Sequence, residues 1–403
     1  MKSSNLWWFN PINIYIFLLF LVVYSVFITE ENYDFLYGVS KKAINIKYII
    51  FYILSFLCFL CGYKKSQCIN TIVKYEDCIY LEKLYKWLFV LCLSAYFIWF
   101  LCFALVFGFG ALFTFLDPVA MASNMYAFKY NSGRIPGITS MTELGVVITP
   151  ISWLLFKTTK QKKYSYHLIV LFVLSLMRSV LFSERLAFLE IFVPFIVVFI
   201  ATRDYKSYLR YLPIVGLVGL FFLFSLFEYV RSWSTFYINH YDGTFFQFVL
   251  DRIIGYYAVA FNTECLYIEY SNSPFFPLRL FEWLWKIPFI EDIPGLFGIR
   301  NNFGEILEEY GNPEFNNPGG MLIAVGDLGL IGIFFSYLVG KFFGSLYWAF
   351  RNGSLLGYIL YPACFLCMLE LPRYFYFSGN RAFFVIIGMF VISKKINQIE
   401  KYE

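Results

Sequence analysis

Ten apolar runs, each near the length that spans a bilayer, recur along this chain. They fall at about 12–28, 44–62, 87–106, 141–156, 166–182, 186–202, 210–227, 321–347, 355–371 and 381–393. A spanning helix needs roughly 20 mostly apolar residues, and the hydrocarbon offers no water to satisfy any other backbone arrangement of a single segment. The runs therefore predict an all-α polytopic membrane protein of about ten transmembrane helices. Composition points the same way. Of 403 residues, 60% are hydrophobic and 15% are charged, against about 25% charged in a soluble chain. A globular core of this size could not cover so much apolar surface, so lipid must. The first run is too long for the apolar region of a signal peptide. It is followed by Thr29-Glu30-Glu31 rather than by a small-residue cleavage site, so it is expected to be the first membrane helix.

The 37 residues of 166–202 are almost entirely apolar. One helix of that length would overshoot a hydrocarbon core of about 30 Å at 1.5 Å per residue. Two helices must meet in a tight turn near Ser183-Glu184-Arg185, with Arg185 at the turn and Arg178 one to two turns deeper.

Lysine sets the orientation. Lys64, Lys65, Lys74, Lys83 and Lys86 fill one loop, and Lys157, Lys160, Lys162 and Lys163 another. Arg203, Lys206 and Arg210 lie in a third, and Lys394, Lys395 and Lys401 in the tail. With ten helices all of these share one side, which the positive-inside rule makes cytoplasmic, with both termini. Residues 1–227 then hold helices one to seven, 228–320 form a large external loop, and 321–403 hold helices eight to ten and a cytoplasmic tail. In the loop, apolar residues from Phe245 to Phe261 recur at helical spacing, while Gln247, Asp251, Arg252, Gly255 and Asn262 fall elsewhere on the wheel. That pattern predicts an amphipathic helix on the outer membrane surface. Asn302 with Glu305 reads as a capping box, and Gly311 as a stop, for a short helix over about 303–310.

Arginine opposes the lysine pattern. Arg134, Arg178, Arg185, Arg231, Arg252, Arg279, Arg300, Arg373 and Arg381 fall outside, and only Arg203, Arg210 and Arg351 inside. A guanidinium is a planar fork suited to bidentate phosphate binding, so an outer mouth rich in Arg is what an anionic phosphate ligand needs. The competing reading is pairing with external carboxylates such as Glu184, Glu228 and Asp251, or with lipid headgroups. His240, beside Asp242, is a candidate general base or a solvated loop residue. Glu305, Glu308 and Glu309 read chiefly as helix surface. The C-x-x-C pairs Cys58/Cys61 and Cys364/Cys367 sit among Phe, Leu and Met and read as helix packing rather than metal ligands. No metal site, nucleotide loop or nucleophile elbow is legible, and no nucleic acid is expected as a partner. The glycines of Gly326-Asp327-Leu328-Gly329-Leu330-Ile331-Gly332 are expected to let membrane helices approach closely.

Three stretches carry a resemblance. Gly133-Arg134-Ile135-Pro136-Gly137-Ile138-Thr139 precedes the fourth helix, Arg178 to Arg185 lies at an outer turn, and Asn302-Phe303-Gly304-Glu305 leads through Tyr310-Gly311 to a Gly-rich segment. With the hydropathy profile, they resemble the O-antigen polymerase (Wzy) family. The resemblance implies a glycosyltransferase related in fold to the O-antigen ligases (GT-C-like), in a bacterial inner membrane with its site facing the periplasm. It implies an undecaprenyl-diphosphate-linked oligosaccharide as substrate, membrane lipids and a chain-length regulator protein as partners, and no cofactor or metal. The growing glycan would pass from its lipid diphosphate to a new lipid-linked repeat unit. Arg134, Arg178, Arg185, Arg231, Arg252, Arg373 and Arg381 would bind the diphosphate, with His240, Arg178 and Arg185 catalytic. An O-antigen ligase and a flippase are the alternatives. The external charge and long outer loop favour an externally acting enzyme over a flippase.

Overall fold

A computed structural model of the chain describes residues 3–66, 73–116, 127–128, 131, 135–182, 184–234, 236–272, 275–287 and 289–400. Helix is the only extended regular structure among them, and every apolar run predicted from sequence becomes helical. The long helices are α1 Pro11–Phe27, α2 Glu30–Tyr37, α3 Ile46–Lys64, α4 Glu82–Phe107, α5 Gly145–Thr159, α6 Lys162–Leu181 and α7 Arg185–Ala201. They continue with α8 Leu212–Glu228, α9 Phe245–Tyr270, α10 Phe303–Glu309, α11 Ile323–Leu328, α12 Phe335–Asn352, α13 Leu355–Glu370 and α14 Ala382–Glu400. Among the described residues, seven stretches are long and apolar enough to cross a membrane, or eight if α1 and α2, bent by 98°, count as one. The chain is thus an all-α protein of multi-pass membrane type. The remaining two of the ten apolar runs, α7 and α13, are shorter, at 17 and 16 residues.

The length argument for 166–202 holds in the structure: α6 ends at Leu181 and α7 begins at Arg185. Ser183 lies outside the described residues. α13 is the central helix, with every residue buried except Leu369. Its small residues allow this. A Cβ on Gly357 would stand 2.1 Å from the Phe350 backbone nitrogen, so only glycine lets α12 and α13 close up. α8, by contrast, is exposed along most of its length and carries an apolar surface suited to lipid.

The closest helix crossing is between α3 and α12. A Cβ on Gly62 would lie 2.0 Å from the Tyr337 carbonyl oxygen, and one on Gly340 would lie 2.1 Å from that of Phe59. Of the glycines expected to serve this purpose, Gly326 does, since a Cβ there would lie 2.4 Å from the Tyr267 ring of α9, and the others shape a turn. Gly329 sits at φ +63°, and a Cβ on Gly332 would lie 2.0 Å from the Ala324 carbonyl oxygen. These residues turn the chain back on itself between α11 and α12.

The 228–320 segment departs most from expectation. Its helix runs nine residues beyond the predicted end, to Tyr270, and residues 258–267 are buried without a break. Part of the predicted polar face is turned into protein: Arg252, Gly255 and Asn262 are buried and Asp251 is half-buried, while Gln247 stays exposed. Asn262 accepts from the backbone N–H groups of Ala43 and Ile44 at 2.7 and 3.0 Å and donates to the Lys41 carbonyl. The helical period holds, but Asn262 staples a backbone segment that no period-based reading can see. The Asn302–Glu305 capping box is absent too. Asn302 makes no side-chain cap and bonds the Tyr270 carbonyl instead, while Glu305 pairs with Arg300 at 2.7 Å.

The two ends of the bundle differ in kind. At one end Leu355 N–H bonds Val73 O, the Trp7 and Trp8 indoles bond Arg210 O and Leu209 O, and Arg351 reaches Asn5. The lysine-rich loops gather here, around a cavity of about 450 Å³ lined by Lys74, Lys157 and Arg203 with Glu76 and Asp204. The opposite end holds the described part of the 228–320 segment and Arg178, Arg185, Arg252, Arg373 and Arg381.

Candidate functional site

Five of the seven arginines singled out from sequence converge at that second end. Arg134 and the Arg231 side chain lie outside what the structure describes. The five form two adjoining groups.

The first group is built where four elements end. The 3-10 turn Thr139–Leu144 carries Glu143, the last turn of α6 carries Arg178, the first turns of α7 carry Glu190, and Arg381 stands just before α14. Arg178 lies 3.8 Å from Glu143 and 3.6 Å from Glu184, and donates to Thr142 Oγ1. Arg381 contacts Glu184 and Glu190, the latter at 3.0 Å. Glu190 in turn accepts from the Tyr376 hydroxyl at 2.9 Å. Arg178 is 6% exposed. A cation this buried must be matched by carboxylates, and here it is.

The second group surrounds one ring. The guanidinium carbons of Arg185, Arg252 and Arg373 lie 4.8, 5.9 and 5.6 Å from the centre of Tyr256. Three cations therefore lie around one aromatic ring, whose face offsets part of their mutual repulsion. Each also has a carboxylate. Arg185 and Arg252 share Glu228 at 3.6 and 3.5 Å, Arg252 also bonds Glu314, and Arg373 pairs with Glu370 at 2.9 Å. Arg373 reaches Asn317 Oδ1 at 3.3 Å, and the Gly319 N–H bonds the Arg373 carbonyl. Gly319 holds φ +70°, and a Cβ there would lie 2.6 Å from Glu264. The stretch Asn316-Asn317-Pro318-Gly319-Gly320 is thus a splint for Arg373.

Local backbone positions Glu228. α8 runs into a π-helical turn, Tyr229–Trp233. Such turns are rare and concentrate at functional sites. It brings Ser232 Oγ within 3.1 Å of Glu228 Oε2. Tyr237 bonds Glu314 at 3.2 Å, and burial, with the Glu314 carboxylate, raises its phenol above the ordinary range. It stays a neutral donor.

His240 stands apart from these groups. Its exposed ring stacks on Phe236 at 4.1 Å, and Nδ1 bonds the Phe236 carbonyl. Asp251, offered as an arginine partner, bonds the Tyr241 hydroxyl instead. Glu184 and Glu228 do pair with arginine, as the competing reading held. Glu143, Glu190, Glu314 and Glu370 were missed. Glu190 could have been found, because a carboxylate inside an apolar run is costly unless matched. Among the described residues, no three His, Cys, Asp or Glu side chains are placed to share a metal ion.

The site holds arginines preset by carboxylates. A diphosphate offers more oxygens and more charge than one carboxylate. Arg373 Nε is buried and makes no hydrogen bond among the described residues, so the ion pairs do not use every guanidinium donor around Tyr256. No family model, curated protein or solved structure matches this chain.

Proposed function

We propose that this chain polymerises lipid-linked oligosaccharide repeat units at the outer face of a bacterial inner membrane. The observation that carries the reading is the convergence of Arg185, Arg252 and Arg373 on Tyr256, at the end of the bundle away from the lysine loops. In this reading the chain crosses the membrane ten times, with both termini in the cytoplasm and the arginines facing the periplasm. The fold is related to that of the O-antigen ligases.

The substrate is a polyprenyl-diphosphate-linked glycan. The bond between its anomeric carbon and the diphosphate oxygen breaks. A new bond forms from that carbon to a hydroxyl of the incoming lipid-linked unit. The hydroxyl proton passes to the departing diphosphate or to a neighbouring carboxylate. Negative charge grows on the leaving diphosphate as the bond breaks, and preset guanidinium groups stabilise it without reorganising. Arg178 and Arg381, enclosed by carboxylates, hold the geometry of this end. His240 has no contact with the group and is not assigned the base.

A flippase draws on one specific observation: Glu143 and Glu190 are buried with Arg178, a set that could pass charge through the bundle. Deleting the gene and analysing the cell's glycans separates the readings. Loss of a polymerase leaves lipopolysaccharide capped by one repeat unit. Loss of a ligase leaves none on the core, and loss of a flippase traps units inside.

A further inference from the structure

Two phenylalanines of the external segment hold backbone conformations that residues with side chains rarely adopt: Phe275 at φ +63° and Phe289 at φ +71°. Both rings face outward, 70% and 96% exposed, and Leu296 and Phe297 nearby are 81% and 70% exposed. Strained backbone that presents large apolar groups to water is costly twice over, which points to an apolar surface supplied from outside the chain.

The surroundings say which surface. A Cβ on Gly329 would lie 3.8 Å from the Phe275 ring. Gly329 leads into Leu330, Ile331 and Phe334, each more than half exposed, within the stretch Ile323–Asn352 that is apolar enough to cross a membrane. Phe275 therefore continues a lipid-facing band. The segment is also pinned to that stretch. Asp327 accepts from the backbone N–H groups of Arg279 and Leu280 at 2.8 and 2.7 Å, and from the Tyr267 hydroxyl at 2.7 Å. Behind the exposed rings, Trp283 and Trp285 have their indole N–H groups satisfied by Phe377 O and Pro277 O. Tryptophans of this kind mark the level of a membrane interface. Glu291 and Asp292 are exposed just after Phe289, which limits insertion to the headgroup–acyl boundary.

We propose that the segment bearing Phe275, Phe289, Leu296 and Phe297 is a wedge seated in the outer lipid leaflet. The inference needs only a membrane-embedded bundle, so it stands or falls separately from the polymerase reading.

The test is photo-crosslinking in the full-length protein in its native membrane, with p-benzoylphenylalanine at position 289. Position 334 is the lipid-facing reference, and position 308, on the exposed charged face of α10, is the aqueous one. Phospholipid adducts at 289 comparable in yield to those at 334, and absent at 308, are expected. Loss of lipid adducts at 289 while 334 retains them, or a polypeptide adduct at 289, overturns the proposal. Because Phe289 is almost wholly exposed, the substitution leaves the core untouched.

Discussion

Arg381 and Arg178 hold the same carboxylate oxygen, Oε2 of Glu184. One side chain between α6 and α7 thus ties together the adjoining ends of α6, α7 and α14. Removing one partner of a buried ion pair costs about 3 kcal/mol or more, less where water reaches the pair, as it partly does at Arg381. Glu184→Ala is therefore expected to lower the unfolding temperature of the detergent-solubilised protein, with Glu184→Gln falling between it and wild type. An unchanged melting curve for Glu184→Ala would show that the pairing is not structural.

Arg373 is the most accessible cation of the group around Tyr256, with a side chain 25% exposed. If it meets charge developing on the leaving diphosphate, Arg373→Ala should slow chain extension about a hundredfold, which is roughly 3 kcal/mol. Arg373→Lys should recover only part, because an ammonium lacks the planar fork. Asn317→Ala should weaken the reaction less, through the lost contact to Arg373. Rates are read from product ladders, with folded protein quantified in parallel. Full recovery by lysine would reduce the arginine to a simple positive charge.

The helical runs and the sharp turn before Arg185 were legible in the sequence, because each rests on hydropathy or on local spacing. What a side chain pairs with across the bundle was not. Asn262 and Asn302 read as surface and cap residues, yet both bond backbone more than 30 positions away. Asp327 and Gly329 lie in a glycine-rich run whose composition suits a straight close-packed helix as well as a reversal. The deciding facts, the Arg279 and Leu280 N–H groups and the Ala324 carbonyl, are supplied by tertiary contact. The carboxylates matching the arginines were half visible, since Glu184 adjoins one in sequence while Glu314 reaches Arg252 only through the fold.

Gly340 tests the helix crossing. Any side chain there meets the Phe59 backbone, which cannot swing aside. Gly340→Val is expected to destabilise the protein by roughly 3 kcal/mol, at the upper end of overpacking effects. Gly216→Val, on α8 with nothing within 4 Å, is expected to leave it stable. Thermal unfolding of both variants in one detergent makes the comparison, and equal stability would contradict the crossing.

Asp327→Ala should strip the acceptor from two backbone N–H groups and one hydroxyl. Each buried group left unsatisfied costs about 1–3 kcal/mol. The segment beginning near Arg279 should then detach locally before the bundle unfolds. Limited proteolysis of right-side-out vesicles is expected to cut the variant within about 20 residues of Arg279, at a protease level that leaves wild type intact, because opened loops are the preferred sites of nicking. Cleavage at equal rates would show that Asp327 does not clasp the segment.

The central claim is chemical, and one measurement addresses it directly. Purified protein in lipid nanodiscs is given a polyprenyl-diphosphate-linked repeat unit, and both glycan length and released polyprenyl diphosphate are followed. The account predicts a ladder of lengthening lipid-linked glycans, one diphosphate lipid released per unit added, and loss of both in a variant with Arg185, Arg252 and Arg373 all replaced by alanine but still folded. A substrate recovered unextended from active-site-intact protein, or a ladder that survives loss of all three arginines, would contradict it.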